Sequence, residues 1–179
     1  MRKGWTMRTY LVLGMIALMS ACSREMPSSP PLPAAPAAAL LSAGGIGPIR
    51  FGMSLAQAEQ ATGGKAALPQ AFDPACSMVR FPALPNLRFM VENGIVTRAD
   101  AGPGVDNAVG VSYGDTLEQV RSRHPKAQVS AHKYDENGNY VSFPSADGRA
   151  AIILEVTGGK VTKMRAGLQP AVAYVETCG

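Results

Sequence analysis

The chain has 179 residues, with 17 lysines and arginines against 13 aspartates and glutamates. Arg2, Lys3 and Arg8 precede an apolar run and every acidic residue lies beyond Cys22, so removing these three bases leaves 14 against 13, a net charge of +1. That balance excludes an electrostatic footprint for nucleic acid or for an anionic membrane surface.

The chain opens with those bases, then "TYLVLGMIALM", then small residues, which is the order of an export signal. The apolar run from Tyr10 to Met19 is about half of the ~20 residues a membrane-crossing helix needs, so removal is expected rather than retention. Met1 and Met7 both remain possible starts. The segment "MSAC", Met19–Cys22, resembles the lipobox of bacterial lipoproteins. The resemblance implies that residues 1–21 are cleaved, that Cys22 becomes the lipidated first residue, and that Ser23 permits sorting to the outer membrane. The alternative is an ordinary signal peptide with an unrelated cysteine.

Residues 22–43, "CSREMPSSPPLPAAPAAALLSA", carry prolines and alanines without a periodic face, and the residues before proline are pushed extended. They read as a semi-rigid tether reaching up to ~3.1 Å per residue. The remaining length, 44–179, suits one domain. With Cys22 assigned to lipid, Cys76 and Cys178 are left as a pair. In an oxidising envelope they are expected to be bonded, the alternative being two reduced thiols.

Sliding the chain against itself by 62 positions lays "FGMSLAQA" from Phe51 over "YGDTLEQV" from Tyr113, and "VRFP" from Val79 over "VSFP" from Val141. After a three-residue insertion, "VENGIVTRADAG" from Val91 lies over "VTGGKVTKMRAG" from Val156. Two tandem repeats are expected, at 44–108 and 109–179. Each opens with a capping box, Ser54 with Gln57 and Thr116 with Gln119. The helices that follow should stop near Gly63-Gly64 and near His124-Pro125. Leu55 with Ala58, and Leu117 with Val120, turn one face inward.

"LRFMVEN" places Leu87, Phe89 and Val91 on one side and turns at Asn93-Gly94 into "IVTRADA". The second repeat gives "AIILEV", a turn at Gly158-Gly159 and "KVTKMRA", with "AYVETC" from Ala173 as a closing strand. The predicted fold class is α+β: two tandem repeats, each a short helix on an antiparallel sheet, with the sheets merged into one domain.

A glycine, any residue, Ser/Thr, a short helix and a strand meander, used twice, resembles the beta-lactamase inhibitory protein group. The single unit resembles the small barrel-assembly lipoprotein of the outer membrane. These resemblances imply the architecture and a non-catalytic binding surface. Those families usually place two helices before the sheet, whereas "KAALPQAFDPA" from Lys65 is too rich in proline for a second one.

The residues offer no catalytic constellation. His124 stands at a helix end, where a cation complements the dipole. His132 lies near Asp135 and Glu136, which in principle orient a general base. There is no nucleophile-elbow serine, no HExxH and no P-loop. "GPGVDN" from Gly102 lacks the third glycine of a dinucleotide fingerprint. "DENGN" from Asp135 fails the EF-hand spacing, with Tyr140 and Ala146 where glycine and glutamate are required. No enzyme, cofactor or metal site is expected. The loop around "DENGN" is the expected partner contact, through Tyr134, Asp135 and Tyr140, since tyrosine supplies large contact area at low entropic cost. The alternative is that both tyrosines are strand residues packing the sheet edge. The expected function is that of a lipid-anchored outer-membrane protein, facing the periplasm, that binds or inhibits an envelope protein. An assembly accessory and a glycan- or cell-wall-binding lipoprotein are the alternatives.

Overall fold

The computed structural model describes residues 39–69 and 71–178. The expected signal peptide, Cys22 and the tether up to residue 38 lie outside them. The tether was expected to run to Ala43, but Leu41 is fully buried. Its N–H donates to Asp106 O at 2.8 Å and its carbonyl accepts from Ala108 N at 2.8 Å. The domain takes in Leu41 because burying a leucine side chain gains about 1.5 to 3 kcal/mol that a solvated spacer forgoes.

A small hairpin, β1 (Gly45–Ile46) with β2 (Ile49–Arg50), precedes helix α1 (Leu55–Thr62). Strands β3 (Cys76–Val79), β4 (Leu87–Glu92) and β5 (Ile95–Ala101) follow. Helix α2 (Leu117–Arg123) leads to β6 (Gln128–Ala131), β7 (Asn139–Pro144), β8 (Ala150–Thr157) and β9 (Lys160–Leu168). One antiparallel sheet of seven strands results, in the order β3-β4-β5-β9-β8-β7-β6. The fold class is α+β, as expected.

Both capping boxes form. The Ser54 hydroxyl accepts from Gln57 N and the Gln57 side chain accepts from Ser54 N, and Thr116 and Gln119 repeat the arrangement. Helix α1 ends at Gly63, whose φ of 72° is left-handed, and α2 ends at His124 before Pro125. The tight turns are those predicted: Asn93 and Gly94, then Gly158 and Gly159, all have positive φ, the pattern of two-residue hairpins. Each helix start is clipped to the strand after the turn. Gly52 N donates to Val96 O and Val96 N to Met53 O; likewise Gly114 N donates to Val161 O and Val161 N to Asp115 O.

The two sheet faces differ in chemistry. Leu87, Phe89 and Val91 of β4 and Ile152, Leu154 and Val156 of β8 point into the main core, where Ala58 of α1 and Val120 of α2 close over them. On the other face the only buried apolar cluster among the described residues is Ala151, Ile153 and Val172, with Tyr140 against it.

A β-bulge in each central hairpin sets which residues reach that second face. Met90 pairs with Arg98 while Val91 pairs with Val96, so Thr97 is the extra residue of β5. Glu155 pairs with Lys163 while Val156 pairs with Val161, so Thr162 is the extra residue of β9. Each bulge resets the alternation. Val96 and Val161 face the core with Ala99 and Ala166, leaving Arg98, Asp100, Lys163 and Arg165 on the opposite side. Gly167 allows the close join of β5 to β9, for a Cβ there would meet Thr97 O at 2.5 Å.

The segment expected as a closing strand from Ala173 is not a strand. It is a 3-10 turn, Ala171–Ala173, and an irregular strap that crosses the charged face. The strands it crosses, β5 and β9, are each paired on both sides within the sheet, so it has no ladder with them. Its carbonyls are bonded instead by arginine side chains.

Candidate functional site

The strap is anchored at both ends and along its length. Cys178 is bonded to Cys76 of β3, the expected pairing, with a Cα–Cα distance of 5.4 Å. Arg98 Nη1 donates to Tyr174 O at 2.7 Å and Ala171 O at 3.3 Å, and Arg165 Nε donates to Val172 O at 2.7 Å. Both arginines are buried, so each is held by carboxylates as well. Arg98 Nε donates to Asp100 at 2.6 Å, and Arg165 Nη1 donates to Glu155. Burial pushes the Arg98 guanidinium down, and Asp100 opposes the shift; an arginine starts so far above neutrality that it stays charged.

Glu155 is the hub of the cluster. Its side chain is 2 % exposed and faces Arg165, Lys163 Nζ at 3.1 Å and His132 Nε2 at 3.4 Å. Burial pushes its carboxyl up, but the Lys163 hydrogen bond and the charge and hydrogen bond of Arg165 outweigh it, holding the group below its ordinary range. In the sequence His132 lies near Asp135 and Glu136. The fold pairs it with Glu155, 23 residues away. Its Nδ1 accepts from Tyr134 N at 3.1 Å and Asp135 N at 3.2 Å, so the ring proton sits on Nε2, toward Glu155. With the ring nitrogens engaged in this way, His132 works as a loop brace. His124 is likewise structural: Nε2 donates to Val109 O at 2.8 Å, and the ring meets Phe143 edge-on.

The three residues expected to contact a partner separate in the structure. Tyr134 is 66 % exposed, and its hydroxyl donates to Glu176 of the strap, which also receives Lys133 Nζ at 2.9 Å. These two bonds, that from Tyr134 first, hold the Glu176 carboxyl well below the ordinary carboxylate range. Tyr140 instead takes the strand alternative. It lies in β7, half-buried against Ile153 and Val172, stacked on His132 at 4.6 Å, with the Arg165 guanidinium 5.5 Å from its ring centre. Asp135 serves the turn: its carboxylate accepts from Asn137 N at 3.0 Å and its carbonyl from Gly138 N at 2.9 Å.

Beneath the strap lies a cavity of about 580 Å³. Its floor is Arg98, Asp100, Met164 and Arg165, its roof Val175, Glu176 and Thr177, and Arg80 and Arg88 stand at its β3–β4 side. Residue by residue, this site was illegible in the sequence: its charges come from β3 to β5, from β8 and β9, and from the chain end. The one available signal was the run of charges in "TRAD" and "TKMR". Two-residue alternation counted from Val96 and Val161 places those residues on the core side, because the bulges cannot be seen in it.

Among the described residues, no group of three or more His, Cys, Asp or Glu is placed to hold a metal ion. Compared with family models, curated proteins and solved structures, the chain matches none.

Proposed function

We propose that this protein is a lipid-anchored binding module of the bacterial envelope whose partner docks on the surface shared by the β6–β7 loop and the C-terminal strap. One observation carries the reading: loop and strap are tied into a single platform on which Tyr134 and Tyr174 are 66 % and 43 % exposed. Tyrosines held on a rigid base meet a partner with little entropy left to lose, which is how interface anchors gain affinity. Behind them the histidine, glutamate and arginines are engaged with one another and with strap carbonyls, an arrangement suited to holding a surface rather than to chemistry.

The domain is a tandem duplication on this reading. The offsets that align the sequence also relate the two capping boxes, the two helix-to-strand clips and the two bulges at Thr97 and Thr162. At the join, Asp100 lies opposite Arg165, its own counterpart in the alignment. Two like charges in those facing positions would repel, and opposite ones favour the pairing. The anchor rests on "MSAC" alone, and labelling with a palmitate analogue should mark the wild type and not Cys22→Ala.

The docking reading is tested in the envelope with a photo-crosslinking amino acid placed singly at Tyr134, at Tyr174 and, on the helix face, at Gln60. A discrete adduct from the first two and none from Gln60 is expected. Equal capture at all three, or capture only from Gln60, would place the surface elsewhere.

A further inference from the structure

The cavity shares the strap with the docking surface above but lies beneath it, and its charge is not fully consumed by holding the strap. Five cations line it, Arg80, Arg88, Arg98, Lys163 and Arg165, against three carboxylates, Asp100, Glu155 and Glu176. Of those three, Glu176 is already matched by Lys133 from outside the cavity. The chain beyond its first bases is nearly neutral, so this concentration of positive charge is local.

The cations also have capacity left. Among the described residues, the Arg80 guanidinium has no hydrogen-bonded or ion-paired partner, its backbone alone being paired with Ala67, and Arg88 has one loose contact, Nη2 to Asp100 at 3.6 Å, with 46 % of its side chain exposed. Lys163 is 68 % exposed beyond its contact with Glu155. Arg98 and Arg165 spend Nε and Nη1 on the strap and on their carboxylates, and Nη2 of each has no partner among the described residues. The Arg98 and Arg165 side chains are 3 % and 4 % exposed, and both line the cavity. Guanidinium forks of this kind match the two oxygens of a carboxylate or phosphate. Between them Val175 and the Tyr113 ring supply apolar wall, with Ala101, whose carbonyl accepts from the Tyr113 hydroxyl.

We infer that the cavity beneath the strap is a binding site for a small oxyanion-bearing molecule, a carboxylate or phosphate attached to a compact, partly apolar body. The anion lies between Arg88, Arg80 and the free edges of Arg98 and Arg165, and the strap residues Val175 to Thr177 cover the rest. A volume of about 580 Å³ holds a molecule of one or two rings, within the usual range of ligand pockets.

Titration calorimetry and amide NMR on the full chain in detergent, at low ionic strength, test this with glucuronate, benzoate and inorganic phosphate as probes and glucose as the neutral comparison. At least one of the three anions should bind saturably and shift the amides of β5, β9 and the strap, while glucose does not; which anion binds distinguishes a carboxylate site from a phosphate site. The double variant Arg80→Ala/Arg88→Ala should weaken that binding about tenfold or more, the loss of a charge-assisted hydrogen bond. Both residues are partly exposed, so it should fold as the wild type does. Arg121→Ala/Lys126→Ala, which removes the same charge from the α2 side, should leave binding unchanged. The proposal is overturned if no anion saturates, if the shifted amides lie on the helix face, or if both double variants weaken binding equally, which is general attraction to positive charge.

Discussion

The two faces of the seven-stranded sheet are held by different physics. On the helix face, Phe89 sits against Phe81 with ring centres 5.2 Å apart, among valines and leucines that are fully buried. Burial of that kind is strong and has no direction. On the strap face, Arg98 and Arg165 are equally buried but fix particular carbonyls of residues 171 to 174, and Glu155 and Asp100 fix the arginines. Charge in that position adds little net stability, because desolvation offsets most of the attraction, but it specifies where a segment with no strand partner must lie. One face makes the domain stable and the other holds the strap in place.

The sharpest way to break that division is to cut the strap's covalent anchor. Cys76→Ser/Cys178→Ser opens a crosslink spanning 102 residues, and urea unfolding should show a loss of about 4 to 5 kcal/mol on the chain-entropy account. Hydrogen exchange should speed up first in residues 171 to 178 and last in β4 and β8, since the helix-face core is untouched. Equal acceleration everywhere would mean the faces are not separable.

Next come paired substitutions that give opposite outcomes on the two sides. Phe89→Ala should cost about 3 to 5 kcal/mol, with no second change at Phe81 able to restore it, because both transfer and cavity terms are lost. Glu155→Leu should cost a similar amount, about 3 to 5 kcal/mol, by leaving Arg165 buried without its carboxylate, yet Glu155→Leu/Arg165→Met should recover most of it. Failure of the double variant to recover would show that the ion pair stabilises the strap face outright.

Acid sharpens the same contrast. The Glu155 carboxyl lies below its ordinary value of 4.5 in the folded chain, so in the range between the two the unfolded chain binds more protons. Its contribution is therefore complete above the ordinary value and is lost as pH falls through the folded one. Melting curves of the wild type and Glu155→Gln should converge as pH drops below that ordinary value, whereas Phe89→Ala should keep a constant offset from the wild type.

The smaller effects are local. Ser54→Ala and Thr116→Ala should each cost about 1 kcal/mol, nearly equally, since the two caps make the same pair of bonds. Tyr134→Ala should change stability by less than about 0.5 kcal/mol, as an exposed side chain does, while weakening the crosslink captured from the probe at Tyr174. If Tyr134→Ala instead loosens the strap in hydrogen exchange, its bond to Glu176 is structural before it is a contact.

Much of the helix-and-hairpin framework was legible from neighbours in sequence, because its causes are local. A serine or threonine three residues before glutamine forms a capping box wherever a helix starts, and asparagine-glycine or glycine-glycine turns two strands without help from the rest of the chain. Cys76 and Cys178 were paired by counting, once Cys22 was set aside. The strap, the hub at Glu155 and the cavity were decided only by tertiary structure. A bulge at Thr97 and another at Thr162 reverse the expected facing of Arg98, Lys163 and Arg165, and two-residue alternation carries no sign of an inserted residue. "AYVETC" has the composition of a strand but follows a turn that carries it across β5 and β9, each already paired on both sides, so the Tyr174 carbonyl turns to the buried Arg98 of β5. His132 likewise finds its partner 23 residues away, across a register that only the folded sheet sets.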